Sequence, residues 1–94
     1  MTDGPLTEYV LTAHARQQMA RRGLSEEAVH LVLTAPEERQ EIRPGRVVLQ
    51  SRVHTGTPER TYLVRVFVDT TTRPPEVVTV YRTSRVLKYW RNQS

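Results

Sequence analysis

Thr61-Tyr62-Leu63-Val64-Arg65-Val66-Phe67-Val68-Asp69 is the stretch whose reading decides the fold. Side chains alternate across a strand, so Tyr62, Val64, Val66 and Val68 fall on one face and Leu63, Arg65 and Phe67 on the other. Apolar groups on both faces mark a strand covered from both sides, hence a central one. Arg65 is conspicuous there. A half-buried guanidinium requires a partner anion or a site, and at this level a structural glutamate and a phosphate are both open.

The neighbours of that stretch complete a sheet. Downstream, residues 70–75 carry two prolines and read as a loop, and residues 76–82 as a strand. Its alternation places Val78 and Val80 on one face and Thr79, Tyr81 and Thr83 on the other. Upstream, His54-Thr55-Gly56-Thr57-Pro58 reads as a loop and residues 46–53 as an aliphatic, β-branched strand. Pro44-Gly45 is a turn signal that pairs this strand with residues 37–43 as a hairpin. His54 is expected to be a plain loop residue. The last part, residues 84–90, ends in Tyr89-Trp90, read either as a clasp docked on the body or as a stacking surface for bases.

The N-terminal third reads as two helices. Residues 7–11 are a short strand or an extended lead-in. Thr12 is a suitable N-cap, and Gly23 a left-handed terminator after Arg21 and Arg22, whose charges suit the negative end of the helix dipole. At about 100° per residue, His14, Gln18 and Arg21 form one stripe with Arg22 beside it, Ala15 and Met19 point to the core, and Arg16 lies nearly opposite His14. Ser25 caps the second helix, Glu26 and Glu27 fill its first turn, and Leu24 and Val29 are placed for a hydrophobic staple. Ala28, Val29, Val32 and Leu33 are its apolar face, and Pro36 ends it by Thr34. His30 lies off that face and is expected to be solvated.

Two helices followed by short-looped strands give an α+β domain, with two N-terminal helices packed on an antiparallel sheet of three or four strands. The 94 residues allow one domain: a loose leader over 1–6, a globular body over 7–90 and a tail over 91–94. Hydrophobic residues at 37% and charged residues at 26% suit a soluble globular chain. No apolar run is long enough to span a bilayer, and the first residues have no signal-peptide character, so no membrane partner is expected. The absence of cysteine permits a cytoplasmic location and removes thiolate chemistry.

A net charge of +4 favours polyanionic partners. Glu26, Glu27, Glu37, Glu38 and Glu41 are half of the ten acids and sit in one segment. After Glu76 there is no acid, while Arg82, Arg85, Lys88 and Arg91 follow. The basic groups thus lie in the first helix and the C-terminal segment, and would form one patch if those ends met.

The three histidines are far apart and lack ligand spacing, so no metal and no cofactor is expected. The inventory of His, Arg, Lys, Tyr, Thr and Ser suits RNA cleavage by attack of the substrate's own 2′-hydroxyl. That reaction needs only a base or acid and cations around the phosphorane.

The stretch Thr12-Ala13-His14-Ala15, with Met19, Arg22-Gly23-Leu24-Ser25-Glu26-Glu27 and Val29, and the later Val78-Thr79-Val80-Tyr81-Arg82-Thr83-Ser84-Arg85, resembles the domain of unknown function 4258 (DUF4258) family over residues 10–89. That family is similar to the RelE-like and barnase–EndoU–colicin–RelE group of small ribonucleases, often toxins. The resemblance implies His14, Arg22, Arg65, Tyr81 and Thr83 as catalytic candidates, with Lys88 a weaker one; Arg21 of the basic first helix and Arg85 and Lys88 of the C-terminal segment are the expected nucleic-acid contacts. It implies RNA as substrate and an antitoxin protein as partner. Many members carry an arginine just before the helix methionine, where this chain has Gln18. The expected function is therefore a metal-independent, toxin-type endoribonuclease in which His14 is general base or acid. The alternatives are a non-catalytic RNA-binding module and a protein-interaction domain with an acidic partner.

Overall fold

A computed structural model describes residues 6–90. The leader before Leu6 and the tail over 91–94 lie outside the described residues. In chain order the elements are β1 (Val10–Leu11), α1 (Ala13–Arg22), α2 (Glu26–Thr34), β2 (Glu38–Arg43), β3 (Arg46–Thr55), β4 (Arg60–Asp69), β5 (Glu76–Thr83) and α3 (Val86–Tyr89).

The two N-terminal helices form where their caps dictate. Thr12 Oγ1 accepts from the Ala15 N–H, and Gly23 closes α1 at φ 68° in the left-handed region. Ser25 Oγ accepts from the Ala28 N–H at 3.0 Å. Ala15 and Met19 of α1 and Val29, Val32 and Leu33 of α2 are buried. They meet Val47, Leu49, Val64, Val66, Val68, Val77 and Val80 in one core between helices and sheet. Each such side chain contributes about 1.5–3 kcal/mol on burial.

The architecture is α+β, but the sheet exceeds the expected three or four antiparallel strands. It has five, in the order β1-β5-β4-β3-β2. β4 is central, as its two apolar faces require. The added strand is β1, which pairs parallel with β5 through Val10↔Glu76 and Leu11↔Val77. Two residues give no readable period, so the extended lead-in could not be distinguished from a strand. Leu6, assigned to the loose leader, donates its N–H to the Leu33 carbonyl and packs on the core.

Three further expectations are corrected. Val78 does not share a face with Val80. Phe67 pairs with Thr79 and Val68 with Val77, so Val78 is an extra residue that breaks the alternation. This bulge turns both Val77 and Val80 into the core. His54 belongs to β3, opposite Thr61, and its Nδ1 lies 2.9 Å from the Thr61 hydroxyl. His30 is not merely solvated: its Nδ1 lies 2.7 Å from the Tyr9 hydroxyl, tying the lead-in to α2.

Candidate functional site

α1 and α2 cover one face of the sheet. Cross-strand register assembles the other, here the far face, in rows. One row is Val48, Phe67 and Thr79; the next is Glu38, Gln50, Arg65 and Tyr81; a third is Arg52, Leu63 and Thr83. Val48 and Leu63 are buried, so this face has a packed floor of its own. α3 and Trp90 fold over it.

The middle row is a continuous polar ladder. Arg65 Nε donates to Gln50 Oε1 at 2.9 Å, and Arg65 Nη1 donates to the Tyr81 hydroxyl at 2.7 Å. Gln50 Nε2 donates to Glu38 Oε1 at 2.6 Å and to the Tyr89 carbonyl at 3.1 Å. Around the guanidinium stand three rings, with its carbon 4.3 Å from the Tyr89 centroid, 5.3 Å from Phe67 and 5.7 Å from Tyr81. The half-buried Arg65 therefore has an amide, a phenol and aromatic faces as neighbours. Among the described residues it makes no ion pair.

The two phenols are pushed in opposite directions. Burial raises the pKa of Tyr81, against the lowering effect of its bond from Arg65. Hydrogen bonding to Tyr81 lowers that of Tyr89, with Lys88 and Arg65 adding to the effect. Their rings stand edge to face with centroids 6.4 Å apart. Lys88 Nζ lies 5.4 Å from the Tyr89 ring.

Beside this cluster, Arg52 stacks on Trp90 at 4.2 Å and bonds Glu37 through Nε at 3.2 Å and Nη2 at 3.3 Å. Of the two readings of Tyr89-Trp90, docking on the body is the arrangement observed. The clasp is a pair of cation–π contacts rather than an apolar plug.

The expected site residues fall into two groups. Arg65, Tyr81 and Thr83 share the far face, and Lys88 lies over it on α3. Thr83 Oγ1 accepts from the Arg85 N–H at 3.0 Å and so shapes the turn into α3. His14, Arg21 and Arg22 are exposed on α1, in the helix layer on the other side of the sheet. The structure does not bring His14 to Arg65. The stripe it shares with Gln18 follows the edge of β5, where Gln18 Oε1 accepts from the Val80 N–H at 3.0 Å. Arg16, on the opposite side, pairs with Glu26 at 2.8 Å.

Gln50, Glu38 and Phe67 were not singled out as site residues from the sequence, and Tyr89 was read there only as part of a clasp or a stacking surface. The signal was present for Gln50: it follows Val47, Val48 and Leu49 with no break in the apolar run, a polar residue placed where a buried one belongs. A surface hollow lies elsewhere, between the lead-in, Arg16, Arg39 and the loop over 70–75. It is a broad groove of mixed charge, less suited to an anion than the ladder. Among the described residues no three His, Cys, Asp or Glu side chains group together, and no helix is long and apolar enough to cross a membrane.

A family profile matches residues 11–82, that of the Domain of unknown function (DUF4258). The chain belongs to this family. Comparison with curated proteins and with solved structures gives no match.

Proposed function

We propose that this DUF4258 member binds RNA on the far face of its sheet and cleaves it without a metal ion, by attack of the RNA's own 2′-hydroxyl on the adjacent phosphorus. The observation that carries this reading is the set of partners around Arg65. Neutral groups position the guanidinium and leave its charge for a phosphate, whose pair of non-bridging oxygens suits its planar fork of donors.

In the proposed step the 2′-oxygen bonds to phosphorus and the bond to the 5′-oxygen breaks. The fragments end in 2′,3′-cyclic phosphate and 5′-hydroxyl. Arg65 stabilises the charge gathered on the non-bridging oxygens. Tyr89 in its phenolate form takes the 2′-hydroxyl proton and becomes the phenol, and the Lys88 ammonium gives one to the departing 5′-oxygen. Tyr81 holds Arg65 and Tyr89 in place. The toxin setting and an acidic antitoxin partner rest on the resemblance to RelE-like ribonucleases alone.

A second reading is a non-catalytic RNA-binding module on the same face. Its supporting observation is that the ladder around Arg65 contains no imidazole, the group best matched to proton transfer near neutral pH.

The test is cleavage of end-labelled single-stranded RNA in EDTA by the parent, Arg65→Gln and His14→Ala, each shown to be folded by circular dichroism. Cyclic-phosphate fragments are expected from the parent and His14→Ala, and none from Arg65→Gln. The reverse pattern would move the site to α1. Intact RNA throughout, with salt-dependent binding that Arg65→Gln removes, would leave the binding module. No binding and no cleavage by the parent would overturn both readings.

A further inference from the structure

The two edges of the sheet are finished differently. On one side β1 covers the start of β5, and Gln18 takes up the Val80 N–H just beyond it. On the other side β2 is the outermost strand among the described residues. An edge strand turns alternate N–H and C=O groups outward, a template for another strand. Charges on an edge commonly repel such pairing. The charges on β2 instead alternate in sign, in the sequence Glu38-Arg39-Gln40-Glu41-Ile42-Arg43.

Arg39 and Glu41 stand on the same face of β2, opposite the core residues Leu49 and Val47 of β3. Both are exposed, one on each side of Gln40. Two identical strands pairing antiparallel about a two-fold axis through Gln40 place each Arg39 opposite the partner's Glu41. The axis one residue earlier would set Arg39 against Arg39. One residue later it would set Glu41 against Glu41 and Arg39 against Arg43. Of these three registers only the first joins unlike charges, and cross-strand pairs of unlike charge are favourable where like pairs are not. Ile42, displaced from the β2–β3 ladder by a register shift and 47% exposed, adds apolar surface at each end of the seam.

We propose that β2 is a self-complementary edge through which two copies of this chain join their sheets into one, in the register set by two Arg39–Glu41 pairs. This is independent of the RNA reading. One short strand pair buries less than the roughly 1,600 Å² of a standard interface, so the dimer forms at high protein concentration.

Sedimentation equilibrium between about 10 μM and about 1 mM tests it. The parent's average mass should rise toward that of a dimer. Arg39→Glu and Glu41→Arg, each placing like charges across the seam, should each weaken self-association at least about tenfold, near 1.4 kcal/mol. An equimolar mixture of the two should regain it, because one strand is then acidic and the other basic at both positions. The doubly swapped chain, Arg39→Glu with Glu41→Arg, should dimerise like the parent and covers the case of a single variant that fails to fold. A parent that stays monomeric, single variants that dimerise unimpaired, or a swapped chain that does not dimerise would each overturn the proposal.

Discussion

Gln50 and Arg65 face each other across β3 and β4, with Arg65 Nε donating to Gln50 Oε1 at 2.9 Å. Gln50 is only 2% exposed. Its amide oxygen serves Arg65, and its nitrogen serves Glu38 and the Tyr89 carbonyl. One side chain therefore joins the hairpin, the central strand and the C-terminal clasp. Gln50→Leu should cost about 2–3 kcal/mol in urea unfolding, because it leaves several polar groups without partners. Gln50→Glu is the sharper probe of function. It sets a carboxylate against Arg65 as an internal counter-anion, at the cost of the two bonds that the amide nitrogen donates to Glu38 and the Tyr89 carbonyl. In the fraction shown to be folded by circular dichroism, fluorescence anisotropy should show RNA affinity reduced at least about tenfold. Unchanged affinity would remove Arg65 from the RNA surface.

The sequence resolves the skeleton and the faces better than it resolves the site. Caps at Thr12, Ser25 and Gly23 fix both helices because each cap is a local interaction. The apolar residues on both faces of residues 61–69 identify β4 as central. What escapes is non-local or brief. β1 exists only because β5 accepts it, and the bulge at Val78 depends on how β5 settles against β4. Arg65 could be recognised as a problem in need of a partner, but not how it was solved. That answer lies in Gln50, 15 positions away, and Tyr81, 16 positions away. His14 illustrates the converse: a histidine on a basic helix attracts attention, yet helix packing sets it on the other layer.

The Glu37–Arg52–Trp90 clasp should be sensitive to acid. The bonds from Arg52 hold the Glu37 carboxyl below its ordinary value of 4.5. A depressed carboxylate contributes stability that is fully present above that ordinary value and is lost as pH falls through the folded one. The side chains are 40–45% exposed, so solvent screening keeps the contribution small. Arg52→Ala should lower Tm near neutrality by a few degrees. The gap from the parent should narrow as pH falls through the folded value and the carboxyl takes up its proton, leaving only the stacking on Trp90. A gap of constant size would assign the whole effect to the ring.

The β2–β3 turn carries a different constraint. Gly45 has φ 84°, and a Cβ there would lie 2.5 Å from Thr71 Cγ2. Thr71 cannot simply swing aside, because its N–H and hydroxyl both bond Asp69 Oδ1. Gly45→Ala should destabilise by about 1–2 kcal/mol for the left-handed backbone, plus roughly 1 kcal/mol or more for the overlap. Thr71→Ser removes the offending methyl and keeps the hydroxyl. The double variant should recover only the overlap, and chemical denaturation of the four chains separates the two contributions.

Gln18 tests whether the departure from the arginine common in the family is structural. Its Oε1 accepts the Val80 N–H on the part of β5 that lies beyond β1. Gln18→Glu keeps an acceptor at that atom and should change stability by less than about 0.5 kcal/mol. Gln18→Arg restores the common residue but offers only donors, so the Val80 N–H loses its partner at a cost of about 1 kcal/mol. Hydrogen exchange at Val80 gives the direct reading, faster in Gln18→Arg and little changed in Gln18→Glu. If Gln18→Arg also raised RNA affinity, the α1 stripe would be part of the RNA surface. If it left affinity unchanged, binding would be confined to the face around Arg65, and Gln18 would serve this chain as a finish for the edge of β5.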